Sequence, residues 1–303
     1  MDRNTKKLIV FILFAFLPMI GIGIVINALG GTPNAADASQ LSAAVTPKAL
    51  IVTLVTAAAM FLPMLAVIFT QINFKEPIFS NTGISFRLNL WWLIGVILIP
   101  VIALAVLGVS LLMPEAKWAA DSELIQMTLS QLPEGIGLWG FIALTIFSGI
   151  LAGFTINGIC AFGEEVAWRG FLMQTFKGKK FICAALWIGI IWGFWHAPII
   201  LNGHNYPQHP VIGVFMMVAF CILMTVPLMY FRIKSDSVFV PAIMHGAFNG
   251  VAGLSILLVT PMNDLLYGAT GLAGCIVLLI VNVCLFLYDR FISKENIFTK
   301  MLA

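Results

Sequence analysis

The sequence predicts an all-α polytopic transmembrane helical bundle of about eight spans, and three observations carry that prediction. Of 303 residues, 61% are hydrophobic and only 10% are charged, whereas a soluble domain carries roughly 25% charged residues to keep its surface wet. Apolar stretches near the ~20 residues that cross a bilayer's hydrocarbon core recur along the chain. These stretches lack the alternating pattern of a barrel, so helices are the structures left that satisfy their own backbone polar groups in lipid.

The spans fall at roughly 8–29, 49–72, 90–113, 138–160, 181–201, 211–231, 238–259 and 268–288. The first is too long for the apolar region of a signal peptide and ends in Asn27-Ala28-Leu29-Gly30-Gly31 without a convincing cleavage site, so it is expected to be retained. The fourth runs on as a helix through Glu164 and Glu165 to about Phe176. No repeat of fixed period is evident. The chain therefore reads as one integral membrane domain over residues 1–303, with its motif-bearing core at about 138–260.

Loop charge sets the expected orientation. With the N-terminus inside, the inner segments hold Arg3, Lys6, Lys7, Lys75, Arg87, Lys177, Lys179, Lys180, Arg232, Lys234, Arg290, Lys294 and Lys300, while the outer ones hold only Lys48 and Lys117. That distribution predicts that both termini are cytoplasmic. Two outer loops are longer than the rest. Residues 30–48 read as a solvated linker, and residues 114–137 contain a short amphipathic helix on the outer surface. The net charge of +3 is too small to point to nucleic acid. Cys160, Cys183, Cys221, Cys275 and Cys284 all lie in apolar segments without a C-x-x-C pair, so they read as buried thiols.

Glu164, Glu165 and Arg169 are the charged residues that fall within or against the spans. A charge at bilayer depth costs about 2.5–3.5 kcal/mol on insertion scales, and such residues are functional candidates by default. Glu165 and Arg169 are four apart, acid first, the favourable order for an ion pair on one helix face. Glu164 lies about 100° further round the helix, which leaves it free for general acid or base work. His196 sits deep in the fifth span within Trp192-Gly193-Phe194-Trp195-His196-Ala197-Pro198. His245 and Asn249, four apart in the seventh, share a helix face. Bringing these groups to one depth calls for tilt, or for a broken helix near Pro198 or Gly246. Buried polar groups in lipid need partners, and a polar knot that only fixes helix packing is the competing reading. His204 and His209, in the outer loop, read as solvated.

At these residues the sequence resembles the CPBP family of intramembrane proteases, which includes the CAAX prenyl endopeptidases and bacteriocin-immunity (Abi) relatives. The family pattern is Glu-Glu-x-x-x-Arg, then Phe-x-x-x-His, then His-x-x-x-Asn. Glu164-Glu165-Val166-Ala167-Trp168-Arg169 matches the first element, followed by Gly170-Phe171-Leu172, and His245 through Asn249 matches the third. His196 matches the second, with Trp192 where the family usually has Phe, a swap that keeps a large aromatic and is expected to leave the chemistry untouched.

The resemblance implies catalytic roles for Glu164, His196, His245 and Asn249. Glu164 would activate a water, His196 would hold that water from the other side, and His245 and Asn249 would face the scissile carbonyl. Glu165 and Arg169 would be supporting residues, and the cavity would open toward the cytoplasm. A zinc site would take Glu164, His196 and His245 as ligands with water in the fourth position. A glutamate-activated water needs no metal, and the H-E-x-x-H spacing of zinc peptidases is absent, so no cofactor is assigned.

The implied activity is that of an endopeptidase acting on a membrane-associated protein or peptide. The alternative is a non-catalytic membrane partner such as a bacteriocin self-immunity protein or a sensor-kinase scaffold. A proton relay is a third reading, weakened because the two halves of the chain show no corresponding pair of broken helices. Short loops and basic character suggest a bacterial plasma membrane protein, for which prenylated tails are not the expected target.

Overall fold

The computed structural model describes residues 1–32 and 46–302, so most of the linker expected at 30–48 lies outside the described residues. Helix α1 (Arg3–Ala28) starts at Asp2, whose carboxylate accepts from the Thr5 amide at 2.8 Å, satisfying one of the orphan donors of the first turn. The second span is two helices, α2 (Pro47–Ala59) and α3 (Leu62–Asn73). They part at Met60–Phe61 because Pro63 brings no amide proton and its ring clashes with the carbonyl four residues back. Helix α4 (Leu90–Leu111) is the third span.

Next comes strand β1 (Lys117–Trp118), then the expected surface helix α5 (Glu123–Ser130), capped by Ser122 and anchored through buried Ile125. Strand β1 pairs antiparallel with β2 (Val259–Thr260), a contact that no local pattern announces.

The fourth span is bent by 53° at Thr155, between α6 (Leu138–Phe154) and α7 (Ile156–Glu165), and continues to Thr175. Residues Val166–Leu172 form a π-helical turn immediately after the two glutamates, and all seven are buried. Such turns are uncommon insertions that occur often at functional sites. The remaining spans are α8 (Phe181–Trp195), α9 (Pro210–Ser235), α10 (Phe239–Val251) and α11 (Leu272–Leu287). Helix α8 ends at His196, and a single further turn, Ala197–Ile200, follows.

The break expected near Pro198 is therefore present, whereas α10 runs through Gly246 without interruption. The larger bend is at Thr155, where no proline announces it. Among the described residues, seven helices, or eight with the bent pair taken as one span, are long and apolar enough to cross a membrane. Leu17, Phe147, Phe215 and Ile280 point outward and are each more than half exposed. Surface of this kind is tolerated against lipid and not in water.

Helix α10 packs against α6 and α7, and α8 against α9. The α7–α10 contact is a close backbone approach. A Cβ on Gly246 would stand 2.5 Å from the Gly158 nitrogen and 2.7 Å from the Asn157 carbonyl carbon. Small residues allow such approaches between membrane helices, and here the contact sets the distance between Glu164 on α7 and His245 on α10. Gly246→Ala is therefore expected to destabilise the protein by about 1–3 kcal/mol, the usual cost of overpacking. Thermal unfolding in detergent would show it, and an unchanged midpoint would mean that the helices separate freely.

The two ends of the bundle differ. At one end Arg3 and Lys7 pair with Glu76 at 3.3 and 2.6 Å, Arg87 pairs with Asp236 at 2.8 Å, and Lys234 meets Glu295. The Gly178 amide donates to the Leu302 carbonyl at 2.9 Å. Both termini and the basic loops thus gather at this end. At the other, Tyr206 donates to the Thr270 carbonyl at 2.7 Å, and Thr32 donates through its amide to the Asn202 carbonyl at 2.9 Å.

Candidate functional site

Glu164 and Glu165 end α7 side by side and reach different partners, as their angular separation predicts. Glu165 Oε1 receives Arg169 Nη1 at 2.8 Å and His245 Nδ1 at 2.9 Å, both in the buried interior. Arg169 also donates from Nη2 to Thr225 Oγ1 on α9 at 3.1 Å, and its guanidinium lies 4.3 Å from the centre of the Trp192 ring. Glu165 and Arg169 side chains are 0% exposed. One ion pair therefore ties α7, the π turn, α9 and α10 together, with Trp192 of α8 stacked on the cation.

Glu164 is less free than its position on the helix suggested. Its Oε2 accepts from Trp168 Nε1 at 3.0 Å and from Trp192 Nε1 at 2.6 Å. Donors to an ionised acceptor make the stronger class of hydrogen bond, so the two indoles hold one carboxylate oxygen in place. The swap of Trp for Phe at position 192 therefore adds a contact to the site that an aromatic ring alone would not make. Phenylalanine has no donor, and the indole N–H of Trp192 touches the candidate base directly. Trp168 is four residues after Glu164 and shares its face, a spacing that could have flagged it. Trp192 is 28 residues away on another helix, beyond any local pattern.

The contacts of the two histidines decide their tautomers. His196 Nδ1 lies 2.9 Å from the Trp192 carbonyl oxygen, which can only accept, so Nδ1 carries the proton and Nε2 presents a lone pair. His245 Nδ1 meets a carboxylate and is likewise the donor. Trp192 stands between the two rings, 5.8 Å from His196 and 5.3 Å from His245, centre to centre.

Glu164, His196, His245 and Asn249 all line one cavity of about 550 Å³. Its walls are largely apolar, with Met19, Met60, Met217 and Met224 among them, and flexible thioether side chains of this kind adapt to differently shaped guests. Asn249 is exposed, one turn beyond His245 on α10. Glu165 and Arg169 do not reach the cavity and lie behind it.

His204 is not a solvated loop residue: it lines the same cavity, near the end of the bundle opposite the termini. His209 is also engaged. Its Nδ1 meets Asp264 Oδ1 at 2.7 Å, while the neighbouring Gln208 amide donates to Asp264 Oδ2 at 2.6 Å. Asp264 is buried in the loop between α10 and α11, where hydropathy marks nothing. The cavity reaches Thr32, Asn205 and Thr270, all in segments at the end away from the basic loops.

Among the described residues, no three or more His, Cys, Asp or Glu side chains are arranged to hold a metal ion. One oxygen of Glu164, the carboxylate of the zinc set Glu164, His196 and His245, receives two N–H donors. An indole N–H has no lone pair to offer a metal, so these partners suit a hydrogen-bonded carboxylate.

Residues 137–251 match the family model described as Type II CAAX prenyl endopeptidase Rce1-like. The match contains all three motifs and spans α6 to α10, the elements that build the cavity wall from Asn157 to Asn249. It is consistent with the CPBP resemblance read from the motifs. No curated protein matches the chain.

Proposed function

We propose that this chain, Rce1-like over residues 137–251, is an intramembrane endopeptidase that hydrolyses a peptide bond with a water activated by Glu164. The observation that carries the reading is a carboxylate held by two indole donors at the wall of a cavity that also presents two histidines and an amide. With Oε2 held, Oε1 takes the proton from water, and the hydroxide formed attacks the scissile carbonyl. The proton then passes from Glu164 to the leaving amine as the C–N bond breaks, the usual exchange of base and acid roles.

The tautomers divide the remaining work. With its Nδ1 donating to the Trp192 carbonyl, His196 offers Nε2 as an acceptor for the one water hydrogen that Glu164 does not take, and His245, its Nδ1 committed to Glu165, faces the scissile carbonyl beside Asn249. Asn249 has a side-chain amide donor that steadies the oxyanion in this reading. Glu165 and Arg169 act as positioning residues, fixing His245 through Glu165 Oε1.

Comparing membrane and secreted peptides from cells carrying the wild type or Glu164→Gln, matched for expression, tests the activity. A precursor that accumulates only in the mutant supports the peptidase and names a substrate to try with purified protein. Identical peptide profiles from two well-folded proteins would turn the reading to a non-catalytic membrane partner.

Two further outcomes follow from the geometry. Trp192→Phe keeps the ring and removes one hydrogen bond to a charged acceptor, worth about 1.5–3 kcal/mol. Peptide hydrolysis by the purified variant should fall by about 10–100-fold with little change in folded yield. Activity equal to wild type would show that Trp168 alone positions Glu164. Dialysis against a chelator is expected to leave the rate unchanged, and a loss restored by added zinc would overturn the metal-free mechanism.

A further inference from the structure

We propose that a hollow at the basic end of the bundle, distinct from the cavity lined by Glu164, is a binding site for a phosphate group of the kind an anionic phospholipid carries. The site stands apart from the peptidase reading and requires no catalysis.

The hollow has a volume of about 380 Å³ and shares no lining residue with the larger cavity. Its lining runs from Arg169 and Gly170, which are buried, to Asn81, Asp236, Glu295 and Lys300, which are exposed, so it reaches the surface. Arg232 also lines it, three residues before α9 ends at Ser235. The end of a spanning helix stands where hydrocarbon gives way to lipid headgroups.

Three cations and two acids line the hollow, and the acids are already matched. Asp236 receives Arg87 at 2.8 Å and Glu295 meets Lys234, and neither of those cations lines the hollow. Arg169 gives Nη1 to Glu165 at 2.8 Å and Nη2 to Thr225 at 3.1 Å. Arg232 is left with the same Asp236 at 3.7 Å, longer than a hydrogen bond, and Lys300 has no acidic partner among the described residues. The surplus charge is positive. The Nε atoms of Arg169 and Arg232 are both buried without a hydrogen-bond partner among the described residues. Buried donors left unpaired are costly, so two such guanidinium groups in one wall favour a guest rich in acceptor oxygens.

The backbone is shaped around Arg232. Gly83 has φ +78, and a Cβ there would collide with the Arg232 guanidinium, which lies flat against this loop. The Gly83 carbonyl accepts from the Val238 amide at 2.9 Å, which ties the loop to the start of α10. On its other side the loop rests on the π turn, where a Cβ on Gly170 would stand 2.7 Å from the Thr82 carbonyl oxygen.

Phosphate suits this set of donors. A guanidinium fork matches two phosphate oxygens, Lys300 adds a point charge, and Asn81 and Gln174 add amide N–H groups. A metal cation would find Asp236 and Glu295 committed to Arg87 and Lys234. Phosphate is the abundant anion at headgroup depth, and basic pockets between spans bind anionic headgroups. Met173, Ile233, Ile297 and Met301 give the hollow an apolar side, which a free anion would not use and the glycerol and upper acyl carbons of a lipid would.

Lipid binding by the purified full chain tests the site. Wild type in mild detergent would be titrated with phosphatidylglycerol, phosphatidylcholine or inorganic phosphate and read by native mass spectrometry. One phosphatidylglycerol should bind in preference to phosphatidylcholine. Arg232→Gln/Lys300→Gln should weaken that binding by about 10–30-fold, because each basic residue beside an anionic lipid contributes about a factor of five. Lys177→Gln removes an exposed charge that does not line the hollow, and should leave binding unchanged.

Inorganic phosphate that binds wild type and is lost in the double variant would keep the site and make its guest a free phosphate. Equal binding of the two lipids by wild type, with no binding of inorganic phosphate, would overturn the proposal. So would phosphatidylglycerol binding that is unchanged in a folded double variant. Lys300 stands at the exposed edge of the hollow, so Lys300→Gln alone, with an expected loss of about five-fold, decides the matter if the double variant does not fold.

Discussion

Glu164→Gln should reduce peptide hydrolysis by about 10²–10⁴-fold, the contribution typical of a positioned general acid or base, while leaving the fold intact. The substitution is nearly isosteric, and the glutamine carbonyl oxygen can still accept from Trp168 and Trp192, whose indoles stand 3.0 and 2.6 Å from Glu164 Oε2. What is lost is the capacity to take a proton from water. The measurement is steady-state hydrolysis of an identified precursor by purified wild type and variant in the same detergent, with size-exclusion profiles and unfolding midpoints as controls. A variant that folds normally and cleaves within a few-fold of wild type would exclude Glu164 as base. A polar knot that only holds helices together would show no kinetic loss of this size, because its hydrogen bonds survive the change.

Arg169→Met should be the most damaging single substitution for stability. It removes the partner of Glu165 at a site where both side chains are 0% exposed, and breaking a buried pair typically costs about 3–5 kcal/mol because a charge is left uncompensated. The loss also takes away the hydrogen bond to Thr225 and the cation on the Trp192 ring. The double variant Glu165→Gln/Arg169→Met removes both charges and should recover a substantial part of that cost. Unfolding midpoints of the two single variants, the double variant and the wild type, read in one detergent, give the coupling between the two positions. Equal midpoints for Arg169→Met and wild type would mean that Glu165 is neutral without Arg169.

Stability recovered in the double variant need not return activity. His245 depends on Glu165 Oε1 for its Nδ1 contact at 2.9 Å, and a glutamine there can present either its oxygen or its amide to the ring. Folded protein with impaired hydrolysis would separate the positioning role of Glu165 from its share in holding the bundle together.

The part of the protein governed by the bilayer and by single helices is legible in the order of its residues. Hydrocarbon thickness and the need to pair every backbone group dictate the spans, and all eight apolar stretches correspond to helices or to the bent pair. The Glu165–Arg169 pair was legible because four residues within one helix fix a shared face. Clustering of basic loops marked one end of the bundle, and contacts such as Gly178 to Leu302 gather them there.

The tertiary structure alone decided how the helices are rotated and how deep each stands. Helices that are apolar nearly all round carry little amphipathic signal to fix their rotation, so contacts across spans are not written in the periodicity. His245 reaches Glu165 across 80 residues and Trp192 reaches Glu164 across 28, and neither spacing has a local signature. The bend at Thr155 had no proline to announce it. His204 looked like a loop residue because hydropathy reports composition and does not report whether a loop folds back over a cavity. The packing of Trp168, Leu172 and the buried ion pair behind Glu164 is a property of side chains from several helices that no single stretch of sequence contains.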